Sequence, residues 1–148
     1  MVSSKTEGTM GAFSDDISVS TKGFGDVVDI TPDVQEVVGR SGIKSGIACV
    51  AAPGSTAGIT TIEFEDGAVR DLKEALDRLA PMKQHYHHDA RWGDGNGFAH
   101  VRSALLGASR SFPVQHGRLV LGTWQQVVLI DFDNRPRDRR IVVQVVGD

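Results

Sequence analysis

The chain of 148 residues predicts a single α+β domain in which a few helices pack against a large, mainly antiparallel β-sheet. Its apolar content of 40% and charged content of 24% are typical of a soluble globular protein with one core. Many of its 17 glycines fall between short segments, a pattern that favours strands and turns. Helical periodicity is confined to three stretches, so we expect few helices.

The N-terminal part is predicted to contain an arm and one strand. Residues 1–15 are small, polar and aperiodic, so we expect a flexible arm followed by a single domain over residues 16–148. Ile17 to Thr21 alternates apolar and polar residues, as a half-buried strand does.

The first helix is predicted to begin at Thr31-Pro32-Asp33, where threonine can cap free N–H groups and proline loses no hydrogen bond. Its apolar face is formed by three valines, Val34, Val37 and Val38. Ile43 to Ala52 follows as a buried strand, in which Cys49 is a small core residue.

The middle of the chain predicts a strand and two more helices. Ser55 to Glu65 is rich in β-branched residues and should be the strand. Pro81 ends a helix whose apolar face has spacings of three and four, formed by Val69, Leu72, Leu76 and Leu79. The next helix follows Asn96, with one face formed by Phe98, Val101 and Leu105.

The rest of the chain is predicted to be β-structure. Three strands are expected, at Leu119 to Leu121, Gln125 to Phe132, and Arg139 to Val146. The turn Asp133-Asn134-Arg135-Pro136 should join the last two as a hairpin.

Charge and cysteine content exclude several classes of function. The net charge of −3 does not suggest a basic surface of the kind that binds nucleic acid or anionic membranes, so we expect neither as a partner. The single cysteine forms no intrachain disulfide, and no secretory signal or long apolar run is found. We therefore expect a cytoplasmic protein.

Chemistry-bearing residues concentrate between His85 and His100, where four of the five histidines lie. His88, Asp89 and His100 are the strongest candidates, because imidazole is both a metal ligand and an acid–base group near neutral pH. A three-ligand zinc site or an octahedral site sharing carboxylates would suit this composition. The alternative is that these histidines are partly exposed and cap turns.

Other polar residues extend the possible site. Glu63 and Glu65 should share one face of their strand, where they could hold Mg²⁺ or simply face solvent. Trp124 and Gln125 interrupt an apolar strand and could contact a ring, or could be a core tryptophan and an edge residue.

A basic run near the C terminus raises the possibility of an anion site, because the arginine fork matches phosphate. It comprises Arg135, Arg137, Arg139 and Arg140. A solvated turn with local carboxylate partners is the favoured interpretation of Arg135 and Arg140.

Taken together, these segments resemble the YjbQ family, small proteins associated with a secondary thiamine-phosphate synthase activity. The resemblance covers residues 17–147 and is carried by Thr56 to Glu63, Asp71-Leu72, Tyr86 with His88-Asp89, Ala99-His100, Leu106 to Ser109, Pro113-Val114 with Gly117, Leu121 to Gln125, and Pro136-Arg137. It implies a sandwich-like sheet and a homotrimer. One departure is Gly54, which stands where the family often has a histidine.

The resemblance also implies a site built around the matching residues Glu63, His88, Asp89 and His100. In family-like chemistry a pyrimidine pyrophosphate joins a thiazole phosphate and pyrophosphate leaves. The histidines, with Asp89 and Glu63, would then hold a divalent metal, Zn²⁺ or Mg²⁺. The substrate, a small phosphorylated compound, would be contacted by Trp124, Gln125 and Arg137. The alternative hypothesis is a non-catalytic ligand-binding or assembly protein, in which the histidine cluster supports the homotrimer.

Overall fold

The computed structural model describes residues 10–148, which form eight strands and four helices. In chain order these are β1 Gly11–Thr21, β2 Asp26–Asp29, α1 Thr31–Ser41, β3 Ser45–Ala51, β4 Ala57–Ile62, α2 Asp66–Leu79, α3 His87–Trp92, α4 Gly97–Leu106, β5 Ser109–Gln115, β6 Arg118–Leu119, β7 Gln126–Asp131 and β8 Arg137–Gly147. The predicted α+β class is confirmed.

The strands form two antiparallel sheets. The larger has the order β1-β8-β3-β5-β6 and the smaller the order β2-β7-β4. β7 and β8 therefore lie in different sheets, and the predicted hairpin between them is wrong. The turn at Asp133 to Pro136 instead carries the chain from one sheet to the other.

The alternation of side chains along β7 builds two hydrophobic clusters. Val127 and Leu129 pack into the main core with α1 and the five-stranded sheet. Val128 and Ile130 point the other way and pack with α2 and α4. The three-stranded sheet is thus buried on both faces, which explains why the β7 sequence is continuously apolar.

The N-terminal boundary of the domain differs from the prediction. β1 begins at Gly11, which pairs with Gly147 of β8. The residues from Gly11 to Asp15 therefore belong to the sheet and not to an arm. The rest of the predicted arm, residues 1–9, lies outside the described residues.

Three details of the helices also differ. Thr31 does not cap α1, because its hydroxyl donates to Asp29 Oδ1 (2.7 Å) and accepts from Val127 N (2.8 Å). Leu79, placed on the apolar face of α2, is 69% exposed after the helix runs past the core. In α4, Val101 and Leu105 are 39% and 62% exposed, since this helix buries its face of Phe98 and Ala99 instead. Within residues 10–148, no helix combines the length and apolarity needed to cross a membrane.

Candidate active site

The histidines are brought together by the close packing of α3 against the start of α4. The backbone N–H of Gly97 donates to Asp89 Oδ1 at 2.8 Å. A Cβ at Gly97 would lie 2.5 Å from the Cβ of Tyr86, so a larger residue would push the two helices apart. Tyr86 is itself fixed by its hydroxyl, which donates to Pro81 O at 2.6 Å. The short helix α3, missed from the sequence, is what places His88 over α4.

His88 stacks on His100, with ring centroids 4.3 Å apart and planes tilted by 40°. Asp89 Oδ1 lies 3.4 Å from His88 Nδ1, a long contact compared with its bond to Gly97 N. Asp89 therefore acts mainly through its hydrogen bond from Gly97 N, which holds α3 against the start of α4. His85 and His87 form a separate, exposed edge-to-face pair with centroids 5.3 Å apart.

His100 lines an open cavity of about 300 Å³. The other walls are built from small residues, Gly54, Ser55, Ser103, Ala104, Gly107 and Ala108. Ser103 is buried and donates its hydroxyl to Ala57 O at 2.6 Å, which fixes α4 against the start of β4. A small polar compound can therefore approach the His100 ring from this side.

A buried ion pair supports the loop on the far side of this cavity. Arg139 donates to both carboxylate oxygens of Asp131, at 2.8 and 2.7 Å, and to Thr56 Oγ1 at 2.7 Å. The two charged side chains are only 6% and 0% exposed. Burial raises the pKa of Asp131, but hydrogen bonds from Arg139 and Thr21 outweigh it, and the net pKa is lowered. The hydrogen bonds from Arg139 to Asp131 likewise raise the pKa of Arg139.

Asp133 connects this ion pair to the helix that carries His100. It accepts hydrogen bonds from Asn96 Nδ2 (3.2 Å) and Thr56 Oγ1 (3.1 Å), and it forms an ion pair with Arg137. Asn96 directly precedes α4. Burial raises the pKa of Asp133, yet its hydrogen bonds, from Asn134 N, Asn96 and Thr56, together with the Arg137 charge leave the net pKa lowered. Arg137 thus lies at the same end of the sheet as the histidines.

The remaining predicted site residues lie at the opposite end of β4. Gln125 donates to Thr61 Oγ1 at 3.1 Å, and Trp124 on the same turn is 72% exposed. Thr61 and Ser55 are six residues apart, which is roughly 20 Å along an extended chain. Trp124 and Gln125 are therefore remote from the cavity beside His100 in one copy of the chain.

Glu63 and Glu65 also differ from the prediction. β4 ends at Ile62, so the two glutamates do not share a strand face. Glu65 is the N-cap of α2 and accepts from Gly67 N (2.6 Å) and Ala68 N (2.9 Å), which lowers its pKa. Glu63 is exposed at the Trp124 end of β4 and makes no hydrogen bond or ion pair to His88, Asp89 or His100 within residues 10–148.

A metal centre of three ligands does not fit the arrangement of residues 10–148 in one copy of the chain. In the part of the chain that the structure describes, no three His, Cys, Asp or Glu side chains converge as metal ligands. His88 and His100 supply two imidazoles, but Glu63 is remote and Asp89 is committed to Gly97 N.

The sequence interpretation missed the structural importance of Asp131, Asp133 and Arg139. Asp133 lies in a turn rich in arginine and aspartate, which is normally solvated, and Asp131 and Arg139 lie in the strands on either side of it. One signal was available: Arg139 lies two residues before Ile141 and four before Val143, so on β8 its side chain shares their inward-facing side of the strand.

Comparison with known proteins identifies the relatives of this chain. Residues 15–148 match the family model described as UPF0047 protein YjbQ-like. A UPF0047 protein of Methanocaldococcus jannaschii is 37% identical over 124 residues, or 83% of this chain and 86% of the relative. The UPF0047 protein YugU of Bacillus subtilis is 36% identical over 132 residues, covering 88% and 97% of the two chains.

Solved structures agree with this relationship. A crystal structure from Sulfolobus solfataricus, described as a YbjQ-like protein of unknown function, superposes with a TM-score of 0.90 at 37% identity and covers 95% of this chain and 100% of its own. A hypothetical protein of Aeropyrum pernix gives a TM-score of 0.85 at 29% identity, covering 92% and 99%.

Proposed function

The chain belongs to the YjbQ-like UPF0047 family, and from this premise we propose that it is an enzyme performing acid–base chemistry on a small phosphorylated compound. The observation that carries the proposal is His100, which faces a cavity walled by small residues while His88 packs against its ring. An imidazole that lines a cavity and packs against a second ring is suited to move a proton to or from a bound substrate.

Each polar group near the cavity has a separate role. His100 exchanges the proton, His88 and Asp89 hold the ring in position, and Arg137 is available to an anionic group because its side chain is about a third exposed. The thiamine-phosphate type of transfer is compatible with these roles, since protonation of a departing pyrophosphate oxygen helps it to leave. No step is assigned to a metal, because residues 10–148 of one chain do not bring three ligands together.

Turnover of phosphorylated heterocycles by His100→Gln tests the proposal. Loss of a general acid–base group lowers kcat by about 10²–10⁴-fold. His85→Gln is the matched control, because His85 is an exposed histidine of the neighbouring segment outside the cavity. Equal kcat values for the two variants would reject His100 as the proton-exchanging group, and absence of turnover by the folded wild-type protein on the whole substrate panel would reject the enzyme.

The alternative, a homotrimeric assembly or ligand-binding protein, is favoured by the exposed face of α4. Val101 and Leu105 are apolar and exposed beside His100, and burial against another copy would remove them from water. In such an assembly Trp124 of a second copy could also reach the cavity, which it cannot do within one chain.

Sizing of Leu105→Glu tests this alternative, with Leu79→Glu as the control at another exposed leucine. Assembly through α4 predicts a smaller species for Leu105→Glu alone. If both variants keep the size of the wild type, α4 is not the contact. A histidine variant that keeps the wild-type size but loses turnover supports the enzyme over the assembly protein.

A further inference from the structure

The loop at Gly54-Ser55 has an arginine beneath it with one free nitrogen. Arg139 uses Nε and Nη2 to bind Asp131 and Thr56, whereas Nη1 has no hydrogen-bond acceptor among residues 10–148. Within the same residues, the only fully enclosed side-chain nitrogen or oxygen that lacks a partner is Asn96 Oδ1, so Nη1 is in contact with solvent. A guanidinium that is otherwise 94% buried thus presents one donor nitrogen to the outside.

The position of that nitrogen is next to Gly54. A Cβ at residue 54 would lie 3.3 Å from Nη1, and Gly54 has a φ of +139°, a conformation that other residues rarely adopt. The backbone N–H groups of Gly54 and Ser55 also lack acceptors among residues 10–148. Both residues line the cavity that His100 faces. Two backbone N–H groups without acceptors therefore belong to residues of the cavity wall, and Arg139 Nη1 lies directly beside the first of these residues.

We propose that this space binds a phosphate group, held by Arg139 Nη1 and the N–H groups of Gly54 and Ser55. The net charge beneath the loop is zero, because Arg137 and Arg139 are matched by Asp131 and Asp133. Recognition therefore comes from directed N–H donors, the arrangement by which backbone loops and arginine bind phosphate oxygens. Calling the bound group part of a substrate rests on the proposed function, whereas the binding itself does not.

The proposed site also explains why residue 54 is a glycine. A Cβ at residue 54 would occupy the space beside Arg139 Nη1, at 3.3 Å, and the positive φ would strain the loop as well. Gly54 thus keeps the arginine accessible from the cavity. Free phosphate and the phosphate of an organic ester present the same oxygens to these donors, so the two sources have to be distinguished by measurement.

The test is a titration of the ¹⁵N-labelled full chain with inorganic phosphate, against chloride at matched ionic strength. We expect the amide resonances of Gly54 and Ser55 to shift and saturate with phosphate alone. Gly54→Ala should weaken binding by roughly tenfold or more, as expected when a charge-assisted hydrogen bond is lost. Gly42→Ala is the control, since Gly42 also has a positive φ but has no atoms within 4 Å of its added Cβ; its affinity should stay within about twofold of wild type.

A second titration uses an aromatic phosphomonoester. A lower dissociation constant for the ester than for phosphate assigns the site to the phosphate of a larger ligand. Equal dissociation constants assign it to free phosphate. Shifts that do not saturate at Gly54 and Ser55 in the wild type overturn the proposal without any variant. So does a folded Gly54→Ala protein with wild-type affinity. Phosphate binding without turnover would leave this site standing and remove the proposed enzyme, and turnover with no binding at Gly54 would do the reverse.

Discussion

Asp131→Asn is expected to be among the most destabilising conservative substitutions in this protein. Asparagine keeps the shape but removes the charge that balances Arg139, and both side chains are almost completely buried. Breaking a buried pair from one side typically costs about 3–5 kcal/mol. Asp133 Oδ2 lies 3.9 Å from Arg139 Nη2 and partly compensates, so we expect a loss of about 2–4 kcal/mol in the free energy of unfolding.

Urea unfolding measures this loss. With a slope of about 2 kcal/mol per molar urea, the midpoint should fall by about 1–2 M. Asp138→Asn is the matched control, because Asp138 is an exposed aspartate whose recorded partner is the hydroxyl of Ser20. Its effect should stay within about 0.5 kcal/mol. If the two variants differ by less than that margin, Asp131 and Arg139 do not form the buried pair described here.

Two more predictions concern stability. The folded-state pKa of Asp131 lies below its ordinary value of 3.8. The stabilisation that the Asp131 carboxylate gives the folded protein is therefore complete above that pH and is lost as the pH falls through the lowered pKa. In urea unfolding below about pH 4, the stability of Asp131→Asn should fall less steeply with decreasing pH than that of the wild type. Gly97→Ala should cost about 1–3 kcal/mol through overlap with Tyr86, whereas Gly39→Ala in α1, with nothing within 4 Å, should stabilise by about 0.5–1 kcal/mol. A thermal melt in which both alanine variants shift in the same direction would contradict the close packing at Gly97.

The sequence was sufficient where one local signal determined the structure. The apolar spacing of α2, the strand β3 and the helix after Asn96 are all present near their predicted positions. β3 is half-buried and not fully buried as predicted: Ile47 is 52% exposed and Cys49 is only partly buried. Where two sheets compete for a strand, local signals were insufficient. The turn after Asp133 is typical of a hairpin, yet β8 pairs with β1 and β3 because its inward residues complete the core of the larger sheet.

Some residues of the candidate site could likewise be placed from the sequence, and others could not. His88, Asp89 and His100 are close in sequence, and the structure brings them together through one contact, Gly97 N to Asp89. Trp124 and Gln125 precede β7, the strand that pairs with β4, but β4 has two ends, and periodicity does not say which end faces the histidines. Only the register of the sheet shows that these residues are far apart in one chain.

The buried ion pair explains why the cavity is found at this end of the molecule. The chain crosses from β7 to β8 between two sheets, and the carboxylates of Asp131 and Asp133 are buried at that crossing. A buried carboxylate requires a cation and hydrogen-bond donors, which Arg139 and Thr56 supply. Thr56 follows Gly54-Ser55 directly and accepts a hydrogen bond from Arg139. The arginine that balances the charge of the buried carboxylates therefore also fixes the loop that lines the cavity. The buried ion pair and the proposed phosphate site therefore use the same arginine through different nitrogens, and a substitution at Gly54 changes the access to Nη1 without removing the hydrogen bonds of Nε and Nη2 to Asp131.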